Sequence, residues 1–213
     1  MKIKAALFDF DGVLVDTERL YNIFWAEMGK RHHIADPLFF KAVKGSTIEG
    51  IISKFFADRT EEEKRQITFE SNNYDVNMDF PPMPGSLEFV RMLKEHHVPT
   101  ALVTSSCNAK LSQAFKQLPI KGLFDTIVSA DRITQGKPDP MCYLLAAKDL
   151  KYAPSDCLVF EDSFAGIEAG NRAGMNVIAL STTNTEEELK GKAYKIVPNL
   201  KGLSFDDYLK WCL

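Results

Sequence analysis

The sequence predicts an α/β protein, a doubly wound (Rossmann-like) parallel sheet into which a smaller, all-helical domain is inserted. Three observations predict it. Short apolar runs rich in Val, Ile, Leu and Ala recur without polar alternation, the pattern of strands covered on both faces. Helical patterns lie between them, and strand alternating with helix argues for parallel winding. One stretch, from about Glu18 to Asp79, breaks the alternation and carries helical spacing alone.

Taken in order, IKAALFD (3–9) supplies the first strand. It runs into Asp9 and Asp11, and side chains at i and i+2 of an extended chain share one side, where two carboxylates repel. Gly12 follows, which marks a turn or a close approach. A surface turn also gathers Asp, Asp and Gly, so this stretch alone leaves both readings open. RLYNIFWAEMGKRHH, STIEGIISKFFA and EEEKRQITFESNNYDVNM then read as helices. PPMPG (81–85) closes the insert, with connections near Leu14–Asp16 and Asp79–Pro84. The expected division is therefore 1–15 with 81–213 for the α/β core, and 16–80 for the helical insert. Strands TALVTS (100–105), TIVSA (126–130), CLVFED (157–162), NVIAL (176–180) and KIV (195–197) follow. Helices SLEFVRMLKEHH, NAKLSQAFKQL, DPMCYLLAAKDL and FAGIEAGNRAG alternate with them.

Composition narrows the function. The chain has 213 residues, 26 Lys and Arg against 29 Asp and Glu, and a formal charge of −3, with no dense basic run. A nucleic-acid surface is not expected. No apolar run approaches the about 20 residues of a membrane helix, and the start, MKIKAALFDFD, turns acidic too soon for a signal peptide. Cys107, Cys142, Cys157 and Cys212 are scattered without CxxC spacing and read as reduced thiols. The expectation is a cytoplasmic monomer. The pairs His32–His33 and His96–His97 read as solvated surface, because helical neighbours point about 100° apart and make poor two-ligand clamps.

In a doubly wound sheet ligands bind beyond the carboxyl ends of the strands. Asp9 and Asp11 end the first strand; Thr104, Ser105 and Ser106 end the second. Gly136-Lys137-Pro138 follows the third, and Glu161-Asp162-Ser163 ends the fourth. Carboxylates, hydroxyls and one ammonium thus gather on one edge. Ser163 reads as the cap of the following helix. Gly166, Gly170 and Gly174, four residues apart, read as aids to close packing.

DFDGVLVDT, LVTSS, GKPDP and FEDSFAGIEAG occur in the order of the four signature motifs of the haloacid dehalogenase-like superfamily, and the chain resembles that family over nearly its whole length. The helical insert resembles its type-1 cap, and the subgroup implied is that of β-phosphoglucomutase-like sugar phosphatases. The resemblance implies Asp9 as nucleophile and Asp11 as general acid/base. It implies Thr104 and Lys137 as phosphoryl ligands, and Mg²⁺ held by Asp162 with Glu161, Asp9 and the backbone carbonyl of Asp11.

That division of labour suits the chemistry. A carboxylate approaching a phosphate ester is repelled until a hard cation intervenes. An aspartyl-phosphate then splits one displacement into two, and a second carboxyl group moves the protons. Substrate contacts are expected from the Gly12 region, Thr17, Lys44, Ser105 and Asn108. Asp11 argues against C–halogen and C–P cleavage by resemblance. Tyr21 and Ile48 stand where mutase relatives carry a histidine and an arginine, which favours hydrolysis of a small phosphorylated metabolite. A sugar phosphomutase is the alternative enzyme, an inorganic pyrophosphatase a lesser one, and a catalytically silent phosphate-binding protein the alternative of another class.

Overall fold

The computed structural model describes residues 3–36 and 38–213; the first two residues of the expected core segment lie outside them. Strand β1 (Ala5–Phe8) is buried along its whole length. It is flanked by β2 (Thr100–Val103) and β4 (Cys157–Glu161), both parallel to it. With β3 (Thr126–Val128), β5 (Asn176–Leu180) and β6 (Lys195–Val197) the order is β3-β2-β1-β4-β5-β6, all parallel. The winding reverses beside β1, so the crevice for a ligand opens between the ends of β1 and β4.

Alternation along each strand builds two cores. Ala6, Phe8, Leu102, Leu158, Phe160 and Ile178 face one side. There they pack against helices α5 (Ser86–Glu95), α6 (Asn108–Gln117) and α10 (Phe205–Trp211). Ala5, Leu7, Ala101, Val103, Val159 and Val177 face the other, under α7 (Met141–Leu150) and α8 (Phe164–Arg172). The aromatic residues of the strands lie on the first face, where Phe8 stacks on Phe160 with ring centroids 4.5 Å apart. Burial on both faces is why these strands read as continuous apolar runs.

The strands are shorter than their apolar runs, and the difference positions the site. Pairing stops at Phe8, Val103, Val128 and Glu161, whereas the sequence suggests Asp9, Ser105, Ala130 and Asp162. The amide of Asp9 still donates to the Phe160 carbonyl at 3.0 Å, and that of Thr104 to the Val128 carbonyl at 2.9 Å. Each polar residue is thus anchored by one last sheet bond while its side chain leaves the apolar interior. Ile3 and Lys4 likewise lie outside the first strand.

Residues between Glu18 and Asn77 form α1 (Glu18–Arg31), α2 (Phe39–Ala42), α3 (Ile48–Phe55) and α4 (Glu61–Asn77). No strand occurs in this stretch among the described residues. The short α2 is not anticipated by periodicity, since four residues span barely one turn; nor are α9 (Glu186–Leu189) and α10. Thr47 and Thr60 start α3 and α4 by accepting from the amides of Gly50 and Glu63, which satisfies otherwise orphaned donors. Trp25, Met28, Phe39, Val43, Ile51, Phe56 and Ile67 form a third cluster, separate from the sheet.

The two connections run side by side. Val15 bridges Pro82 in antiparallel fashion, the Asp16 amide donates to the Pro81 carbonyl at 2.8 Å, and the Ser86 hydroxyl donates to the Leu14 carbonyl at 2.9 Å. His32 sits partly buried against Phe56 and His96 stacks on Phe205, so one ring of each pair packs rather than standing free in water. All four cysteines are free thiols.

Replacing Phe160 by Ala removes the ring that meets Phe8, Phe89 and Trp211. The expected cost is about 3–5 kcal/mol of stability, read from the urea unfolding midpoint.

Candidate active site

Directly beyond β1 and β4 three buried carboxylates, Asp9, Glu161 and Asp162, offer oxygens within 4.8 Å of one another. One ammonium serves two of them, Asp9 and Glu161. Lys137 Nζ, 4% exposed as a residue, lies 2.8 Å from Asp9 Oδ1, 2.7 Å from Glu161 Oε1 and 3.4 Å from the Val103 carbonyl. Three acceptors use the three N–H bonds of an ammonium. Burial alone would lower the Lys137 pKa, but Asp9 and Glu161 outweigh it and hold the lysine well above its ordinary value.

Glu161 is saturated. Its Oε1 accepts from Lys137 and from the Tyr143 hydroxyl at 3.2 Å. Its Oε2 accepts from the amides of Asp162 and Ser163, each at 2.8 Å, and from the Ser163 hydroxyl at 3.0 Å. The carboxylate sits at the start of α8, whose N-terminal dipole favours a negative charge. A Cβ on Gly166 would collide with it. Gly166 therefore makes room for Glu161, Gly170 lets α8 approach Val177, and Gly174 takes φ +75° where the helix ends. Ser163 caps α8 by accepting from the Gly166 amide at 3.0 Å.

Asp9 and Asp162 are not saturated. Burial, with Glu161 and Asp11 nearby, raises Asp9 to about 7 against the pull of Lys137. Asp162 is raised well above the carboxylate range by burial, then by Glu161, Glu18 and Asp9. Its Oδ2 accepts from the Thr183 hydroxyl, while its Oδ1 is buried without a hydrogen-bond partner. Fully ionised, three carboxylates beside one ammonium would leave two uncompensated negative charges, which is why Asp9 and Asp162 are pushed toward their protonated forms, and the orphaned buried oxygen of Asp162 points to a missing partner. A divalent cation fits both observations, since oxygen donors from one or two carboxylates suit a hard ion. Both Glu161 oxygens are already engaged, so Asp9 and Asp162 are the side chains that fit such an ion, and Glu161 holds the turn that carries Asp162.

Asp11 is drawn elsewhere. It accepts from Lys110 Nζ at 2.7 and 2.6 Å, one bond to each oxygen, from Thr17 Oγ1 at 2.5 Å and from Ser106 Oγ at 2.9 Å. Lys110 is 1% exposed. The repulsion expected between the two aspartates is thus relieved by giving each its own lysine. Lys110 is absent from the sequence-based candidates. It did leave a signal: a cation in the first turn of a helix opposes the helix dipole, which is tolerable with an anion opposite.

Several expected contacts change. Thr17 is fully buried and orients Asp11 instead of meeting a ligand. The Gly12 amide is bonded to the Val15 carbonyl at 2.8 Å, and its φ of +75° with no Cβ lets the Asp162 carboxylate pass close by. Asn108 is exposed at the start of α6 and does not line the cavity; its backbone amide donates to Asp131 at 2.6 Å. Lys137 lies beneath Asp9 rather than on the cavity wall.

Asp9, Asp11, Lys44, Thr104, Ser105 and Asp162 do share one cavity of about 460 Å³ between the helical insert and the sheet. The loop carrying Lys44 closes over it: Ser105 Oγ donates to the Gly45 carbonyl at 2.7 Å, and Gly136 leaves room for Thr47. Lys44 itself pairs with Glu18. From the insert, Tyr21 donates to Asp75 at 2.6 Å, and Lys110 lies 4.7 Å from the Tyr21 ring centre.

An acidic pocket lies at the switch point of a doubly wound sheet, roofed by an inserted helical unit, where folds of this class bind their ligands. Residues 6–180 match the family model described as haloacid dehalogenase-like hydrolase, and the chain belongs to that family. It is 32% identical over 190 residues to validoxylamine A 7'-phosphate phosphatase of Streptomyces hygroscopicus subsp. limoneus, spanning 87% of this chain and 89% of that protein. It is 31% identical over 185 residues to hexitol phosphatase A of Escherichia coli K12, spanning 85% and 84%. The crystal structure of β-phosphoglucomutase from Clostridium difficile superposes with a TM-score of 0.81 at 30% identity, over 99% of this chain and 97% of that one.

The raised Asp9 gives a testable pH dependence. Between about 4 and 7 the unfolded chain releases that proton while the folded chain keeps it, so stability falls as pH rises across this window. With EDTA present, the urea midpoint of the wild type is expected to fall relative to Asp9→Asn from the lower to the upper end of that range. Added Mg²⁺ should narrow the gap, because a cation favours ionised Asp9.

Proposed function

We propose that this chain is a Mg²⁺-dependent phosphatase of small phosphate monoesters, sugar phosphates foremost, working through an aspartyl-phosphate on Asp9. The observation that carries the reading is the set of three buried carboxylates against the single ammonium of Lys137, opening into a cavity large enough for a phosphorylated sugar. Similarity to phosphatases of validoxylamine and hexitol phosphates supports the same class.

Residues 16–80 are taken as the cap and the remainder as the core. Asp9, at the end of β1, attacks phosphorus. The P–O bond to the leaving group breaks, and Asp11 delivers a proton to the departing oxygen. Water then attacks the aspartyl-phosphate, its proton passes to Asp11, and the P–O bond to Asp9 breaks, releasing phosphate. Thr104 and the field of Lys137, one carboxylate away, face the transferring oxygens. When bound by Asp9, Asp162 and the Asp11 carbonyl, Mg²⁺ would screen the repulsion between carboxylate and phosphoryl oxygens. Thr17, Ser106 and Lys110 hold Asp11 at the edge of the cavity, and one of its oxygens exchanges its Lys110 bond for a proton before Asp11 acts as the acid.

The phosphomutase reading draws on the likeness to β-phosphoglucomutase. Against it, Tyr21 is spent on Asp75, and Ile48 offers the cavity an apolar side chain. Incubation with β-glucose 1-phosphate and a bisphosphate activator is expected to release inorganic phosphate; glucose 6-phosphate as the main product would reverse the assignment. Asp9→Asn should lower phosphate release from p-nitrophenyl phosphate by at least about a thousandfold at saturating Mg²⁺. Normal turnover by that variant would show that Asp9 is not the nucleophile.

A further inference from the structure

The part of the cavity away from Asp9 and Asp162 decides what the leaving group can be. Its charged wall comprises Glu18, Glu49, Asp75 and Asp131 with two lysines, Lys44 and Lys110. Neither lysine is free. Lys110 is held by both oxygens of Asp11, and Lys44 is ion-paired with Glu18, the two side chains being 11% and 14% exposed. No arginine or histidine lines the cavity among the described residues.

A second phosphate arriving there would meet carboxylates and no unpaired cation. Dianions bind where fixed donors or cations exceed the local negative charge, and here the balance runs the other way. Hydroxyl and amide groups are well supplied, from Ser46, Ser71, Asn72 and Thr134. Carboxylates accept strongly from hydroxyl groups, so the same wall that repels an anion receives a polyol.

We propose that Glu18, by neutralising Lys44, acts as a specificity gate: the enzyme takes a single phosphate on an uncharged, polyhydroxylated leaving group and discriminates against the corresponding bisphosphates. This deepens the phosphatase reading and rests on it. Glu18 reaches the gate because it opens α1, directly after the connection from the sheet, and Lys44 reaches it from the loop before α3. The pair therefore forms within the insert itself, beside the substrate.

The test is competition against p-nitrophenyl phosphate hydrolysis by the Mg²⁺-loaded enzyme, with fructose 6-phosphate against fructose 1,6-bisphosphate and glucose 6-phosphate against glucose 1,6-bisphosphate. Each bisphosphate is expected to bind at least about tenfold more weakly than its monophosphate. Glu18→Gln frees the lysine and should erase most of that preference. Adding Lys44→Met to it should restore the preference, and Lys44→Met alone, which leaves Glu18 bare, should enlarge it. An active wild type that binds bisphosphates as well as monophosphates, or a preference unmoved by Glu18→Gln, overturns the gate and leaves the phosphatase standing. Absence of p-nitrophenyl phosphate turnover with every divalent metal overturns the phosphatase reading, and the gate with it.

Discussion

One ammonium between two carboxylates organises the acidic edge of the sheet. Lys137 enters after β3, Asp9 ends β1 and Glu161 ends β4, so a single buried charge ties three separate crossovers together. Burying such groups costs several kcal/mol per ion unless every lone pair and proton finds a partner. Lys137 and Glu161 meet that condition. Asp9 and Asp162 do not, and their surplus charge is what a divalent cation and a phosphoryl group would act upon.

The rest of the structure reads as support for that arrangement. Ala5 and Ala101 are small residues on the face of the sheet under α7 and α8, Gly166 of α8 leaves room for the Glu161 carboxylate, and Tyr143 with the amides of Asp162 and Ser163 bonds to it. The bulky face, with Phe8, Phe89, Phe160 and Trp211, anchors the strands from the other side. Rigid packing there fixes the strand ends, and the strand ends fix the acids.

A second, independent lysine deals with the second aspartate. Lys110 lies between Asp11 of the core and Tyr21 of the insert, and Tyr21 in turn holds Asp75 of α4. Two helices of the insert and one of the core thereby meet around the Asp11 carboxylate. The position of the insert over the sheet and the orientation of Asp11 are consequently linked by direct contact.

Fold class, strand and helix order, the helical insert and the gathering of Asp9, Asp11, Lys137, Glu161 and Asp162 at one edge are legible in the chain alone. These follow from local rules: apolar runs mark strands buried on two faces, and polar residues that end such runs must leave the interior together. Which of these groups are saturated and which are left needing a partner depends on contacts made in three dimensions. Those contacts turn Thr17 toward Asp11, leave Asn108 off the cavity wall, and pair Lys110 with Asp11 and Lys44 with Glu18. Such pairings join residues up to 99 positions apart. They are set by how helices lie across the sheet, and no periodicity along a chain records that distance.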